Sequence, residues 1–147
     1  MTEIVARGLT AVLSIIALIH LYWGLGGIWP ARDERQLASV VLGLPNATKL
    51  PDAKATLLVA AALAVAAVLP LFVAGILAPP LPRPLIMFGG IAVAMVFWIR
   101  GIAAYLPRFR AKFSAEPFAT LDRRVYGPLC LLICAGYFTV IFFSPAG

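Results

Sequence analysis

The sequence predicts an all-α, polytopic membrane protein: a bundle of four transmembrane helices with a short amphipathic helix in the first loop. Of its 147 residues, 63% are hydrophobic and 12% are charged, with a mean hydropathy of +0.99. Soluble domains carry about 45–50% apolar and about 25% charged residues, so an ordinary soluble fold is excluded. Two further observations point the same way: four long apolar runs, and basic residues concentrated in two of the loops between them.

The four apolar segments span about residues 8–29, 55–77, 85–106 and 125–143, all within one transmembrane domain of residues 1–147. The last segment alone gives about 29 Å of helix at about 1.5 Å per residue, which matches a hydrocarbon core of about 30 Å. Only helices satisfy their own backbone hydrogen bonds in lipid, so each segment is predicted to be helical. The first segment is expected to be a retained helix, because no small-residue cleavage site follows it.

The first loop contains a short amphipathic pattern. Leu37, Val40, Val41 and Leu44 recur at the spacing of one helical face, and Pro45 stops the pattern. This stretch is too short to span a membrane, so we expect a helix lying at the cytoplasmic interface.

Lys and Arg residues are unevenly divided between the two sides of the predicted bundle. Nine lie in the first and third loops, while the opposite side has only Arg7 and Arg83, and Arg100 lies within the third helix. The positive-inside rule places the nine in the cytoplasm and both termini in the periplasm of a bacterial inner membrane. The formal net charge of +6 therefore reflects membrane topology, and no nucleic-acid partner is predicted.

His20, the single histidine, lies in the first helix. Ionisable groups within a membrane segment are functional candidates, although a histidine near the interface also serves as a structural hydrogen-bonding group. Metal-ligand spacing is absent from the sequence, so neither a metal site nor a cofactor is predicted. One axial imidazole is enough for a haem or chlorin, which leaves such a ligand role open for His20.

Arg100 and Asp122 are the most informative charged residues. Arg100 is close enough to the end of the third helix to extend its side chain to the interface, or to bind a headgroup, carboxylate or phosphate. Asp122 precedes the fourth helix, where an acid commonly caps the helix or interacts with its dipole. Because both lie at the depth of His20, we predict that the three side chains face the bundle interior and meet, with Tyr105 or Tyr126 completing a hydrogen-bonded network.

Polar and aromatic side chains collect at one end of the predicted bundle. They form either an interfacial belt or a polar mouth for a lipid-like or other amphiphilic ligand. The candidate ligand-binding residues are His20, Tyr22, Trp23, Arg100, Tyr105, Asp122, Arg123 and Tyr126.

Cys130 and Cys134 lie four residues apart in the fourth apolar segment. A disulfide within one helix would be strained and would join no separate elements. Small residues at this spacing favour helix packing, which we prefer to a redox role.

Two motifs extend the argument from residues to family. Around the first helix lie His20-x-Tyr22-Trp23 with Gly26, Gly27, Trp29 and Pro30, and before the fourth lies Phe118-x-x-Leu121-Asp122-Arg123-x-x-Tyr126-x-Pro128-Leu129-Cys130. Together they resemble a family of small bacterial four-helix membrane proteins catalogued only as a domain of unknown function. The resemblance implies the fold and a bacterial membrane location, and it implies no activity.

Two functions remain open from the sequence. The first is a membrane module that binds an amphiphile or serves as an accessory subunit, with lipids, a larger membrane complex or a second copy as partners. The alternative is a membrane enzyme in which His20 or Asp122 transfers protons while Arg100 and Arg123 hold an anionic substrate. A transporter is a third option, and it would require oligomerisation of so small a bundle.

Overall fold

The computed structural model describes residues 1–144, and residues 145–147, the end of the predicted domain, lie outside the described part. The long helices are α1 (Thr2–Gly24), α3 (Ala53–Val73), α4 (Arg83–Ala103) and α7 (Gly127–Phe143). The short helices are α2 (Glu34–Val41), α5 (Pro107–Lys112) and α6 (Phe118–Leu121). A π-helical turn, Asp122–Tyr126, joins α6 to α7.

Four helical stretches are long and apolar enough to cross a membrane: α1, α3, α4 and the continuous stretch Phe118–Phe143. The chain is therefore a multi-pass membrane protein, and the predicted all-α, four-helix class is confirmed. Helix α1 packs most extensively on α3, and α4 on α7, while contacts of α1 with α7 and of α3 with α4 close the bundle. Side chains from all four helices form one apolar core.

The predicted ends of the first helix are wrong at both termini. The sequence predicted about residues 8–29, whereas α1 spans Thr2–Gly24. The helix starts earlier because Glu3 and Arg7, one turn apart, form an ion pair at 3.6 Å that supports a polar first turn. It ends earlier because Gly26 adopts a left-handed φ of +93°, and backbone hydrogen bonds of 2.9 and 3.0 Å close the last turn.

Helices α3 and α4 are each shifted slightly toward the N-terminus from the predicted 55–77 and 85–106. The link after α3 turns back at once and donates backbone hydrogen bonds of 3.2 and 2.9 Å to the last turn, which ends the helix at Val73. Helix α4 ends at Ala103 because Pro107 favours an extended conformation in the residue before it, which has φ −75° and ψ 131°.

The fourth helical stretch begins well before the predicted residue 125, at Phe118. Pro128 lies in the first turn of α7 and has no N–H to donate to an α-helical bond. The chain upstream of it continues as the π turn, in which the N–H of Gly127 donates to the carbonyl of Asp122, and then as α6. The sequence placed the start of this helix at about residue 125, close to the proline, and the structure extends it toward the N-terminus by the π turn and α6.

Two side-chain hydrogen bonds tie α3 to its neighbours, and Pro70, within α3, explains one of them. A proline inside a helix leaves the carbonyl four residues earlier without its helical donor, which here is that of Ala66. The fully buried Tyr137 of α7 donates its hydroxyl to that carbonyl. Thr10 of α1 donates to the adjacent Ala67 carbonyl at 2.7 Å. Side chains from two neighbouring helices thus satisfy the backbone where water is excluded.

The first loop contains an amphipathic helix, α2, whose Leu37 and Ala38 are fully buried. It ends at Val41, before the predicted stop at Pro45, because Gly43 adopts a left-handed φ of +67°. It contacts α6, so its apolar face covers protein. Helices α2, α5 and α6 with their connecting residues form a layer over one end of the bundle, which we call the cap, and that end is the capped end.

Candidate functional site

An ion pair lies beneath the cap at the junction of α4 and α7. The guanidinium of Arg100 donates through Nη2 to Oδ1 of Asp122. The Asp122 side chain is 4% exposed and that of Arg100 is 34% exposed. The predicted pairing of these two residues is therefore confirmed, and Asp122 is a buried carboxylate held by a partly buried cation.

Two glycines allow α4 and α7 to approach closely enough for this pair to form. A Cβ atom added to Gly127 would lie 2.9 Å from the Cβ of Ala104 and 3.0 Å from the carbonyl oxygen of Asp122. A Cβ atom on Gly101, next to Arg100, would lie 2.7 Å from Leu131 and 3.2 Å from the Gly127 oxygen. Small residues at both positions thus bring the last turn of α4 against the π turn that carries Asp122.

A row of aromatic rings covers the pair from the side of the cap. The Arg100 guanidinium carbon lies 5.4 Å from the centroid of the Phe109 ring, a cation–π arrangement. Phe109 contacts Phe113 with centroids 4.4 Å apart, and the row continues through Phe118 to Tyr126 with spacings of 6.4 and 6.0 Å. This row shields the ion pair on one side and fixes α5 and α6 over it.

The first and third loops are joined within the cap. The N–H of Ala115 donates to the carbonyl of Gly43 at 3.0 Å, and the Tyr126 hydroxyl donates to the carbonyl of Val40 at 3.4 Å. Phe118 is buried where the two loops meet. Residues separated by most of the chain therefore build one surface layer above the ion pair.

A cavity of about 210 Å³ lies between α4, α5 and α6 and reaches the ion pair; we call it the Asp122 cavity. Its lining includes apolar rings and polar groups, among them Phe109, Arg110, Phe113, Ser114, Glu116 and Asp122.

Hydrogen-bonding capacity remains on both partners of the ion pair. Nη1 of Arg100 is buried and finds no acceptor among the described residues. Asp122 lines the cavity, and its carboxylate, which accepts from Arg100 through Oδ1, keeps further acceptor capacity. A buried guanidinium donor without an acceptor is unfavourable, so Nη1 is an exception to the usual pairing of buried polar groups.

His20 does not join this pair, and its predicted place in a network with Tyr105 or Tyr126 is wrong. Its Nδ1 bonds the carbonyl of Ile16 at 2.8 Å, and its ring lies 5.3 Å from that of Trp23. Depth in the membrane specifies only a position along the helix axis, so the direction that His20 faces around α1 could not be obtained from it.

The remaining candidates divide between the cap and α1. Tyr105 donates its hydroxyl to the carbonyl of Arg123 at 3.1 Å, and the Arg123 side chain is exposed. Tyr22, 46% exposed, and Trp23, which donates to the Trp29 carbonyl at 2.7 Å, lie on α1. The structure thus brings together Arg100, Asp122, Tyr105, Arg123 and Tyr126 around the α4–α7 junction and leaves His20, Tyr22 and Trp23 on α1.

The sequence argument missed Phe109 and Phe113 as parts of this site. The alternation of basic and aromatic residues from Arg108 to Phe113 is typical of an interfacial anchor, with rings at headgroup level. The same alternation places two rings one turn apart in α5, where one stacks with Arg100. Arg100, a cation near the end of the preceding helix, was the signal that could have identified them, because a guanidinium commonly lies over an aromatic ring.

Cys130 and Cys134 are both free thiols, and Cys134 belongs to the apolar core. Their positions are consistent with packing. Among residues 1–144, no group of three or more His, Cys, Asp or Glu side chains is placed to hold a metal ion.

Comparison with protein families adds one finding. The model of a family described as a protein of unknown function, DUF3995, matches residues 13–137. The chain belongs to the DUF3995 family. The match includes His20, Arg100 and Asp122, and it ends within α7 at Tyr137. No curated protein and no solved structure matches this DUF3995 chain.

Proposed function

We propose that this DUF3995 protein is a non-enzymatic membrane module that binds the polar end of an amphiphile in the Asp122 cavity. The observation that carries the proposal is the ion pair at the edge of this cavity: Asp122 lines the cavity, and its partner Arg100, which is not itself a lining residue, has a buried Nη1 with no acceptor among the described residues. Unmet donors in buried sites are uncommon in native proteins, and a guest that supplies an acceptor stabilises them.

The chemistry of the pair favours an uncharged polar group. Asp122 already neutralises Arg100, so an anionic headgroup would meet a carboxylate as well as a guanidinium. A hydroxyl or amide both accepts and donates, so it suits a cavity that Asp122 lines with a carboxylate acceptor and Arg110 and Ser114 line with hydrogen-bond donors. The acyl or isoprenoid part of such a ligand would lie along the apolar rings of Phe109 and Phe113.

The enzyme alternative has less support. It relied on His20 and Asp122 for proton transfer at one centre, and on Arg100 and Arg123 to hold an anion. His20 bonds its own helix and shares no cavity with Asp122, while the Arg123 side chain is exposed. Neither arrangement brings a proton-transfer pair onto a substrate site.

The capped end is proposed to face the cytoplasm of a bacterial inner membrane. The nine loop cations all belong to the loops that reach this end, and cytoplasmic loops of membrane proteins are enriched in Lys and Arg. Both termini would then face the periplasm. Membrane lipids are the expected source of the ligand, and a larger membrane complex or a second copy of the chain is the expected partner.

Native mass spectrometry tests ligand binding directly. Protein extracted from its own membrane in mild detergent should retain an uncharged amphiphile at a stoichiometry of one. The double variant Arg100→Met with Asp122→Leu replaces both charges by apolar side chains, a change that folded proteins often tolerate. It should remain folded and lose the ligand.

The matched control is the double variant Glu3→Gln with Arg7→Gln. It removes an exposed ion pair at the start of α1, at the end of the bundle away from the cap. This control should retain the ligand at the wild-type level. Equal retention by the Arg100/Asp122 variant and the wild type would overturn the proposed site.

Topology is tested separately with single cysteines in a background lacking Cys130 and Cys134. Ser114→Cys lies in the cap and Ala78→Cys in the link between α3 and α4, and both positions are exposed. A membrane-impermeant maleimide added to intact cells should label only the cysteine at position 78. Labelling of position 114 alone would reverse the proposed orientation.

A further inference from the structure

A second cavity, which we call the His20 cavity, lies between α1, the start of α3 and the end of α2. Its volume is about 310 Å³, and its lining is mainly apolar, including Trp23, Val41, Leu42 and Val59 together with His20 and Thr56. It shares no lining residue with the Asp122 cavity. Its size is at the lower end of the range for small-molecule sites, about 300–1,000 Å³.

The contacts of His20 fix how its imidazole can interact. The carbonyl of Ile16 can only accept a hydrogen bond, so Nδ1, which lies 2.8 Å away, carries the proton in the neutral ring. Nε2 therefore has a lone pair. This nitrogen makes no hydrogen bond with any described residue, and it lies on the side of the ring away from the Ile16 carbonyl.

Thr56 supplies the second polar group of the cavity. Its hydroxyl donates to the carbonyl of Asp52 at 3.3 Å, which uses its single proton and leaves its oxygen as an acceptor. The cavity thus presents two acceptors, on His20 and Thr56, within an apolar lining. A ligand that fits this pattern has a hydrogen-bond donor at the end of an apolar body.

We propose that the His20 cavity binds the hydroxyl end of a membrane-soluble molecule, with the hydroxyl donating to Nε2 of His20. Long-chain alcohols, monoacylglycerols and hydroquinones share this chemistry. A quinone, ether or ester of the same shape can only accept, and it would leave Nε2 without a partner while losing its own hydration. The site should therefore bind molecules with a free hydroxyl more tightly than otherwise similar molecules that lack a hydrogen-bond donor.

Trp23 provides the readout, because it lines the cavity next to His20. The chain has three tryptophans, and Trp29→Phe with Trp98→Phe leaves Trp23 as the sole indole emitter. Trp29 contributes only its backbone carbonyl to the Trp23 hydrogen bond, so this background preserves that contact. The probes are a long-chain alcohol brominated next to its hydroxyl and the corresponding methyl ether, added to protein in lipid nanodiscs.

The alcohol should quench Trp23 at a concentration in the lipid roughly tenfold lower than the ether, as one hydrogen bond to His20 within a mainly apolar cavity implies. In His20→Phe, which keeps a ring and removes the acceptor, the two probes should quench equally. Equal quenching in the unmodified His20 background would overturn the proposal without reference to any variant.

Two further arms separate the outcomes. Brominated monoacylglycerol and brominated hydroquinone are each compared with the fully methylated ether of the same molecule. The compound whose preference over its ether falls most in His20→Phe identifies the source of the hydroxyl. A Soret band in the purified protein that His20→Phe abolishes would instead assign Nε2 to haem iron and overturn the hydroxyl site. The double variant Arg100→Met with Asp122→Leu should still be quenched by the alcohol at a lower concentration than by the ether. The proposal for the His20 cavity can therefore fail or hold independently of the proposal for the Asp122 cavity.

Discussion

Two ion pairs at opposite ends of the bundle differ in almost every physical respect. Glu3 and Arg7 lie one turn apart on α1, 3.6 Å from each other, with side chains 65% and 68% exposed. Arg100 and Asp122 are on different helices, and Asp122 is 4% exposed. Water surrounds the first pair and screens it, whereas aromatic rings and backbone cover most of the second pair.

The difference shows where this fold depends on particular residues. The exposed pair supports one local helical turn, which other side chains could support as well. The buried pair requires glycines at the α4–α7 junction, a π turn to carry Asp122, and a cap assembled from two loops. Substitutions at the capped end should therefore have larger effects than matched substitutions elsewhere.

The largest effect is expected from Asp122→Asn, which leaves the Arg100 guanidinium without its counter-charge. Breaking a fully buried pair costs about 3–5 kcal/mol, and the partial exposure of Arg100 reduces our expectation to about 2–4 kcal/mol. The measurement is the free energy of unfolding in mixed detergent micelles, followed by circular dichroism as denaturing detergent is increased.

Glu3→Gln is the matched comparison, because it also removes one carboxylate from an Arg–acid pair. The expected loss is about 0.3–0.5 kcal/mol, typical of an exposed pair one helical turn apart. Losses of similar size for the two variants would show that solvent reaches Asp122 freely, and the capped end would then not be a buried site.

The second prediction concerns the approach of α4 to α7. Gly127→Ala should cost about 1–3 kcal/mol, because the new Cβ would lie 2.9 Å from the Ala104 Cβ and 3.0 Å from a backbone oxygen, and neither atom can move independently. Gly89→Ala in α4 adds the same methyl group at 3.7 Å from Leu69, an ordinary contact. That variant should be neutral or stabilising by up to about 1 kcal/mol.

Both variants can be compared in the same unfolding assay. A second measurement is the amount of ligand that each variant retains relative to the wild type. Gly127→Ala should also reduce ligand retention, since it moves Asp122 away from Arg100, while Gly89→Ala should not. A Gly127→Ala variant as stable as Gly89→Ala would contradict the proposed basis for the ion pair.

The sequence predicted the parts of this structure that depend on depth and period. Hydropathy located the four spans, and the shared depth of Arg100 and Asp122, together with the cost of burying charge, predicted their pairing. Depth does not specify the direction a side chain faces around its helix, which is why His20 was placed with them. That direction depends on how the helices pack, and the packing of α1 places His20 in the lining of the His20 cavity.

The cap was harder to predict for a different reason. Its formation depends on hydrogen bonds between loops far apart in sequence, such as the one from Ala115 to Gly43, and on a π turn next to Pro128. Loop pairings of this kind leave no periodic pattern in the sequence. The end of α1, by contrast, depends on a local feature that the sequence does contain. Glycine commonly follows the last turn of a helix, and Gly26 does so here with a left-handed φ.

The smallest expected effects compare two tyrosine hydroxyls, one in the bundle and one in the cap. Tyr137→Phe removes the donor to the Ala66 carbonyl, which Pro70 has deprived of its helical partner in a region without water. Side-chain hydrogen bonds in membrane proteins contribute about 0.6 kcal/mol on average and up to about 1.7 kcal/mol. Full burial and the lack of another donor place Tyr137 in the upper part of that range, at about 1–1.7 kcal/mol.

Tyr126→Phe removes a longer hydrogen bond, of 3.4 Å, from a half-buried hydroxyl to the Val40 carbonyl. Its expected cost is about 0.5 kcal/mol or less, because the long bond is weak and water can replace the donor at the cap surface. This comparison reverses the trend of the others: for hydroxyls, the bundle should be more sensitive than the cap. The same unfolding assay decides it, and equal costs for the two variants would mean that water reaches the Ala66 carbonyl, contrary to the role assigned to Tyr137 beside Pro70.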